Sequence, residues 1–249
     1  MKGVILLVKD YPAYQSRPKK EIKSKGVVTV ERPILFNTEM VQAILKGNKT
    51  QTRRAVKNLK LKVEGNYVSV YELHRKSDDV LVFGSAINDD CKQYIVNDYA
   101  PYQVSDVLWV RETFCYDDFD NGGETVYYKA DFGERHIKEL FTDCDMKWTP
   151  SIHMPRKAAR LFLKVTNVRC ERLQDITEDG AKAEGIKSYT KDGNVFKYCV
   201  SDDLWFSQKG TWQDMPRSAK EAFEKLWDSI YKSWLDNPWV WVIEFERMV

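Results

Sequence analysis

Apolar positions along this chain alternate between two rhythms, one of helices and one of strands. Val27-Val28-Thr29-Val30 reads as a short strand. The spacing of Met40, Val41, Ile44 and Leu45 predicts a helix over 38–46. Asn37 suits its N-cap, Glu39 suits the positive end of its dipole, and Gly47 suits the left-handed position that ends it. Residues 106–112 predict a strand with Val107, Trp109 and Arg111 on one face, and Leu108, Val110 and Glu112 on the other. Further strands are predicted at 125–130 and 160–169. Thr177 can cap a short helix starting at Glu178, and Gly185 can end it. Ser218-x-x-Glu221 is a capping box. It opens a helix whose stripe is Ala219, Ala222, Phe223, Leu226, Trp227 and Ile230. The last strand is predicted at 239–246, with Trp241, Ile243 and Phe245 on its inner face.

This order lacks the regular strand–helix alternation of a doubly wound sheet. It predicts an α+β fold, with a mixed or antiparallel sheet closing toward a barrel. Residues 1–26 read as an N-terminal extension that is locally basic. Residues 27–249 read as one domain with insertions near 64–103, 115–150 and 187–217.

Composition narrows the class. The chain has 249 residues, of which 43% are hydrophobic and 31% charged, so it can bury a sizeable core. It holds no apolar run near the roughly 18–20 residues needed to span a bilayer. The start lacks a long apolar region with a small-residue cleavage site, so the expectation is a cytoplasmic protein without a membrane partner. The cysteines number five with no CxxC pair, which predicts free thiols. The three histidines form no HxH or HExxH pair, and neither a metal nor a cofactor is expected. Walker A, GxGxxG and GxSxG motifs are absent.

Charge adds one local feature. The net charge is only +2, yet 40–63 carries Lys46, Lys49, Arg53, Arg54, Lys57, Lys60 and Lys62 with no acid. Such segregation fits either a surface that meets phosphate or a solvated face. Within it, Lys49-Thr50-Gln51-Thr52 sets an amine near two hydroxyls. Neighbouring cations lower a lysine's pKa, and a neutral lysine can deprotonate a threonine. In a regular strand Lys49 and Thr52 would face opposite ways. The pair therefore works only if Lys49 lies in the turn before the strand.

Gly47-x-Lys49-Thr50-x-Thr52-x-Arg54, followed in order by the Asp106-Val107-Leu108 strand and the Val242-Ile243-Glu244-Phe245 strand, resembles the ASCH domain family. Ile152-His153-Met154-Pro155-Arg156, Arg172-Leu173-Gln174-Asp175-Ile176-Thr177 and the 239–245 ending are similar to phage and prophage members. The resemblance implies a PUA-like β-barrel with flanking helices, related to RNA-binding modules. One bacterial branch hydrolyses the amide of 4-acetylcytidine with a lysine, a threonine and a glutamate. The matching positions are Lys49, Thr52 and Glu184. The resemblance implies that Thr52 attacks the acyl carbon, Lys49 takes its proton, and Glu184 orients or protonates the leaving amine. Thr50, Arg53, Arg54, Arg111, His153 and Arg156 are the expected contacts to substrate or nucleic acid, RNA before DNA. The alternatives are a non-catalytic RNA- or DNA-binding module of phage origin and a metal-dependent ribonuclease.

Overall fold

The computed structural model describes residues 29–56, 59–64, 67–72, 81–83, 96–97, 99–117, 125–132, 147–200 and 212–248. The extension at 1–26, Val27, Val28 and Lys57 lie outside the described residues, as do the side chains of Lys60 and Lys62. The fold is α+β, with most elements in sheets and few helices.

Five strands form the central sheet: β1 (Glu31–Leu35), β2 (Gln51–Ala55), β6 (Val107–Arg111), β9 (Phe162–Arg172) and β12 (Trp239–Arg247). Their spatial order is β1-β6-β9-β12-β2. β1 runs parallel to β6, and the other three pairings are antiparallel, so the sheet is mixed. Three smaller sheets lie within the stretches 59–83, 114–128 and 187–199. They consist of β3 (Leu59–Glu64), β4 (Tyr67–Glu72) and β5 (Leu81–Phe83); of β7 (Phe114–Asp117) and β8 (Thr125–Tyr128); and of β10 (Lys187–Thr190) and β11 (Phe196–Cys199).

Half of the strand predicted at 27–30 lies outside the described residues, and the first described strand is Glu31–Leu35. Residues 29–30 precede it, and it runs through Pro33. Proline is tolerated because β1 pairs with β6 on one side only. The strand predicted at 125–130 stops at Tyr128, where a 3-10 turn, Lys129–Asp131, takes over. Along β6 and at Glu112 just past it, Leu108, Val110 and Glu112 are at most 1% exposed; on the other face Trp109 and Arg111 are half-buried, but Val107 is buried as well.

Among the described residues the sheet does not close into a barrel by backbone pairing. It curls until its two edge strands come within reach of one side chain. Arg54 Nη2 on β2 donates to Leu35 O on β1 at 2.5 Å, with its guanidinium 5.2 Å from the Phe36 ring centre. Phe36 in turn meets Phe245 on the concave side, at 6.1 Å between ring centres.

Among the helices whose full ranges are described, three pack with the sheet: α1 (Thr38–Leu45), α2 (Glu178–Ala183) and α3 (Ala219–Ile230). Each N-cap behaves as its side chain dictates. Asn37 Oδ1, Thr177 Oγ1 and Ser218 Oγ accept from the backbone N–H three residues on. The reciprocal arm of the capping box lands one residue early, because Glu221 accepts from Arg217 N rather than from Ser218 N. Gly47 and Gly185, with φ of +74° and +100°, end α1 and α2. On α3 the buried stripe is Ala219, Ala222, Phe223, Leu226 and Trp227. Ile230, expected in that stripe, is 47% exposed because the helix ends there. β12 is covered on both sides: Val240 and Val242 are fully buried, as is Ile243 on the opposite face. No helix among the described residues is long and apolar enough to cross a membrane.

Candidate functional site

The central feature is a meeting of two segments far apart in sequence. Lys49 and Glu184, 135 residues apart, form an isolated antiparallel bridge. Thr50 N donates to Ala183 O at 2.9 Å, tying the end of α2 to the start of β2. Gly185 makes this contact possible. A Cβ there would lie 3.1 Å from Ala43 Cβ and 3.4 Å from Lys49 Cβ.

Lys49 stands in that bridge, after the turn at 46–47 and before β2 begins at Gln51. Lys49 Nζ donates to Glu184 Oε2 at 2.7 Å and to Glu184 O at 2.8 Å. The side chains are 0% and 3% exposed. Burial pushes the Lys49 ammonium below its ordinary value of 10.5; Glu184 pulls it back up, and Arg54 and Arg53 push it further down.

Strand alternation sorts the next residues. Gln51 and Arg53 share one face of β2, with Gln51 Nε2 donating to Gly180 O at 2.8 Å. Arg53 Nη1 reaches Glu184 Oε1 at 3.1 Å, and its Nη2 reaches Glu171 Oε1 at 2.5 Å. Its Nε is buried without a hydrogen-bond partner. The guanidinium stands 5.7 Å from the Phe223 ring centre. The basic stretch is therefore not one solvated positive patch. Lys49 and Arg53 are 2% and 4% exposed and paired with carboxylates.

Thr52 points to the opposite face of β2 and is 2% exposed. It lines a narrow cleft with Arg53, Arg54, Glu184 and Met40, walled by Phe223, Leu226, Trp227, Ile230 and Tyr231 of α3 and its end. The rings of Trp227 and Tyr231 lie 4.4 Å apart in that wall. The free volume is about 20 Å³, room for one water.

The other expected contacts are not brought to this cleft. Thr50 is exposed, and its backbone O accepts from Phe245 N. Arg111 lies on the outer row of β6, stacked 5.6 Å over Trp109, and donates to Ile152 O. Arg156 forms a bidentate pair with Glu31 at 2.8 and 3.0 Å and covers the Phe162 ring. His153 is exposed on a 3-10 turn. Sequence reasoning missed Glu171 and Tyr231, and it took the Phe223, Leu226 and Trp227 stripe as the packed face of a helix rather than as a wall of this cleft. The Arg169-x-Glu171 spacing on a strand was the available signal, since it puts both charges on one face. Among the described residues no three His, Cys, Asp or Glu side chains gather as a metal site.

Fold and site together define an α+β protein whose curled mixed sheet carries a buried lysine–glutamate–arginine centre beside a threonine. Compared with known proteins, the chain matches no family model, no curated protein and no solved structure.

Proposed function

We propose that this chain is a PUA-like protein of the ASCH type and an amidohydrolase acting on an acylated cytidine or a related nucleoside. The observation that carries the reading is the buried Lys49–Glu184 pair, which converges on β2 where Thr52 opens into the same cleft as Glu184. The edge strands joined through Arg54 suit a barrel left open at one seam. Burial removes Lys49 and Arg53 from any phosphate, which favours a catalytic site over a binding module that grips a backbone.

In this mechanism neutral Lys49 takes the Thr52 proton as Oγ1 bonds to the acyl carbon. Glu184 stabilises the ammonium so formed, and that proton passes to the leaving amine as the carbon–nitrogen bond breaks. Water then cleaves the threonine ester, releasing a carboxylic acid. A cleft the size of one water admits the substrate only when the α3 wall parts from β2. The Trp227 and Tyr231 rings then offer flat surfaces to a base.

The test is chromatographic release of cytidine from 4-acetylcytidine and longer acyl homologues. Wild type should release cytidine, and Lys49→Ala and Thr52→Ala should each lose at least about 100-fold in rate. A folded wild type that releases none from any acylated cytidine overturns the proposal.

A further inference from the structure

The buried pair is one end of a longer row of charges. Register places Arg53 opposite Val242, and Val242 opposite Arg169, so these three share one face across β2, β12 and β9. Glu171 and Glu244 lie on the same face, two residues along their strands. Their side chains connect in alternating sign. Lys49 meets Glu184, Glu184 meets Arg53, and Arg53 meets Glu171. Glu171 Oε2 then accepts from Arg169 Nε at 3.1 Å, and Arg169 reaches Glu244. Both oxygens of Glu184 and of Glu171 are taken by different cations. Three cations face three anions.

Exposure grades along the row. The side chains of Lys49, Glu184 and Arg53 are 0–3% exposed, that of Glu171 19%, and those of Arg169 and Glu244 36% each. The surface end can therefore respond to solvent and ligands, while the inner end cannot. Arg53 couples the two. Its bond to Glu171, at 2.5 Å, is shorter than its bond to Glu184, at 3.1 Å. Drawn toward Glu171, Arg53 leaves more of the Glu184 charge to Lys49.

We propose that Glu171 is a positioning residue for the Lys49 proton, acting through Arg53, and that Arg169 opposes it from the surface. Its catalytic consequence rests on Lys49 being the base; the effect on the proton does not. The charged groups acting on Lys49 are Glu184 from the end of α2 and Arg53 and Arg54 from β2. The Phe36 ring, just past β1, lies 5.7 Å from its Nζ, and Ala43 O of α1 accepts from its backbone N–H. Removing the Glu171 charge acts in one direction by two routes. It removes a distant anion, and it frees Arg53 to compete for Glu184. Both favour the neutral amine. Removing the Arg169 charge does the reverse, because a cation is lost and Glu171 is left to Arg53 alone.

The experiment follows the Lys49 side-chain resonance by NMR across a pH titration in the whole chain, assigned by its loss in Lys49→Met. Glu171→Gln should lower the Lys49 midpoint by roughly half a pH unit or more, and Arg169→Met should raise it. Shifts of opposite sign support the proposal. No shift in either variant, or shifts of the same sign, overturns it. If Glu171→Gln does not fold, Arg169→Met alone decides: a raised midpoint supports the proposal, and an unchanged or lowered one overturns it. The acid limb of kcat/KM for cytidine release provides a second readout. Where the midpoints move as expected and that limb stays still, the row stands and Lys49 is not the base.

Discussion

Glu184→Gln removes the anion shared by the two most deeply buried cations of the molecule's centre. Breaking a buried pair from one side costs about 3–5 kcal/mol, because the remaining charge stays desolvated. Glutamine strands Lys49, whereas Arg53 keeps Glu171, so a loss of about 4 kcal/mol is expected. Lys49→Met leaves the Glu184 carboxylate paired with Arg53, so about 2 kcal/mol is expected. Independent effects would sum to about 6 kcal/mol, but the double variant strands no lysine. It should lose about 3–4 kcal/mol, a coupling of about 2–3 kcal/mol.

In a chain of this length, a loss of 4 kcal/mol corresponds to a Tm lower by about 8–16 °C. The assay is urea unfolding followed by tryptophan fluorescence, with equal slopes as the check on a common unfolded state. The pH dependence carries a sign. Folding lowers the Lys49 pKa, so between the folded value and 10.5 the unfolded chain holds more protons. The lysine's contribution to stability is fully present above 10.5 and is lost as pH falls through the folded value. Glu184→Gln depresses that value further, so its deficit against wild type should shrink as pH rises toward 10.5. A cost below 1 kcal/mol for Glu184→Gln, or additivity within about 0.5 kcal/mol, would refute the reasoning.

Two further outcomes are expected. Arg160 forms a bidentate pair with Glu112 at 2.9 and 3.0 Å, reaches Asp131 at 2.6 Å and stacks on Tyr128. Burial raises the Glu112 carboxyl above its ordinary value, against the pull of Arg160. Its contribution is therefore full below pH 4.5 and is lost as pH rises through the folded value. Arg160→Met should cost about 3 kcal/mol at pH 7 and less at pH 4, where Glu112 needs no partner. Equal costs in urea at the two pH values would argue against a charged Glu112. Gly185→Ala forces φ of +100° on alanine and drives its Cβ to 3.1 Å from Ala43. It should cost about 2–3 kcal/mol, whereas Gly193→Ala, with φ of +77° and open space around it, should cost about 1 kcal/mol. Equal unfolding free energies for the two variants would show that the close packing at Gly185 has no role.

What the sequence made legible is what local chemistry decides. Asn37, Thr177 and Ser218 announce their helices because a short polar side chain can cap only where a helix starts. The Leu108–Val110–Glu112 row is legible because a strand has a period of two. The strand at Glu31–Leu35 left no pattern to read. Glu31, Arg32 and Pro33 carry no apolar alternation, and only pairing with β6 makes them a strand. The curl that brings Arg54 to Leu35 left no local trace, since it depends on the twist of all five strands.

The candidate site divides the same way. The sequence marks Lys49, Thr52 and Glu184, whereas the charge count of their neighbourhood leaves a phosphate-binding face and a solvated face both open. For Lys49 and Arg53 that count says nothing of exposure, because their carboxylate partners are invisible in the segment. Glu184 and Glu171 lie more than 115 residues downstream, at separations of 131 and 118 from Arg53. Folding delivers both carboxylates onto the β2 face that alternation gives to Gln51 and Arg53, and it turns Arg54 the other way toward Leu35 and Phe36. Net charge along a segment counts cations but not which face of a strand each occupies. Two adjacent arginines on β2 therefore do opposite things: one neutralises a buried carboxylate, and the other joins the edges of the sheet.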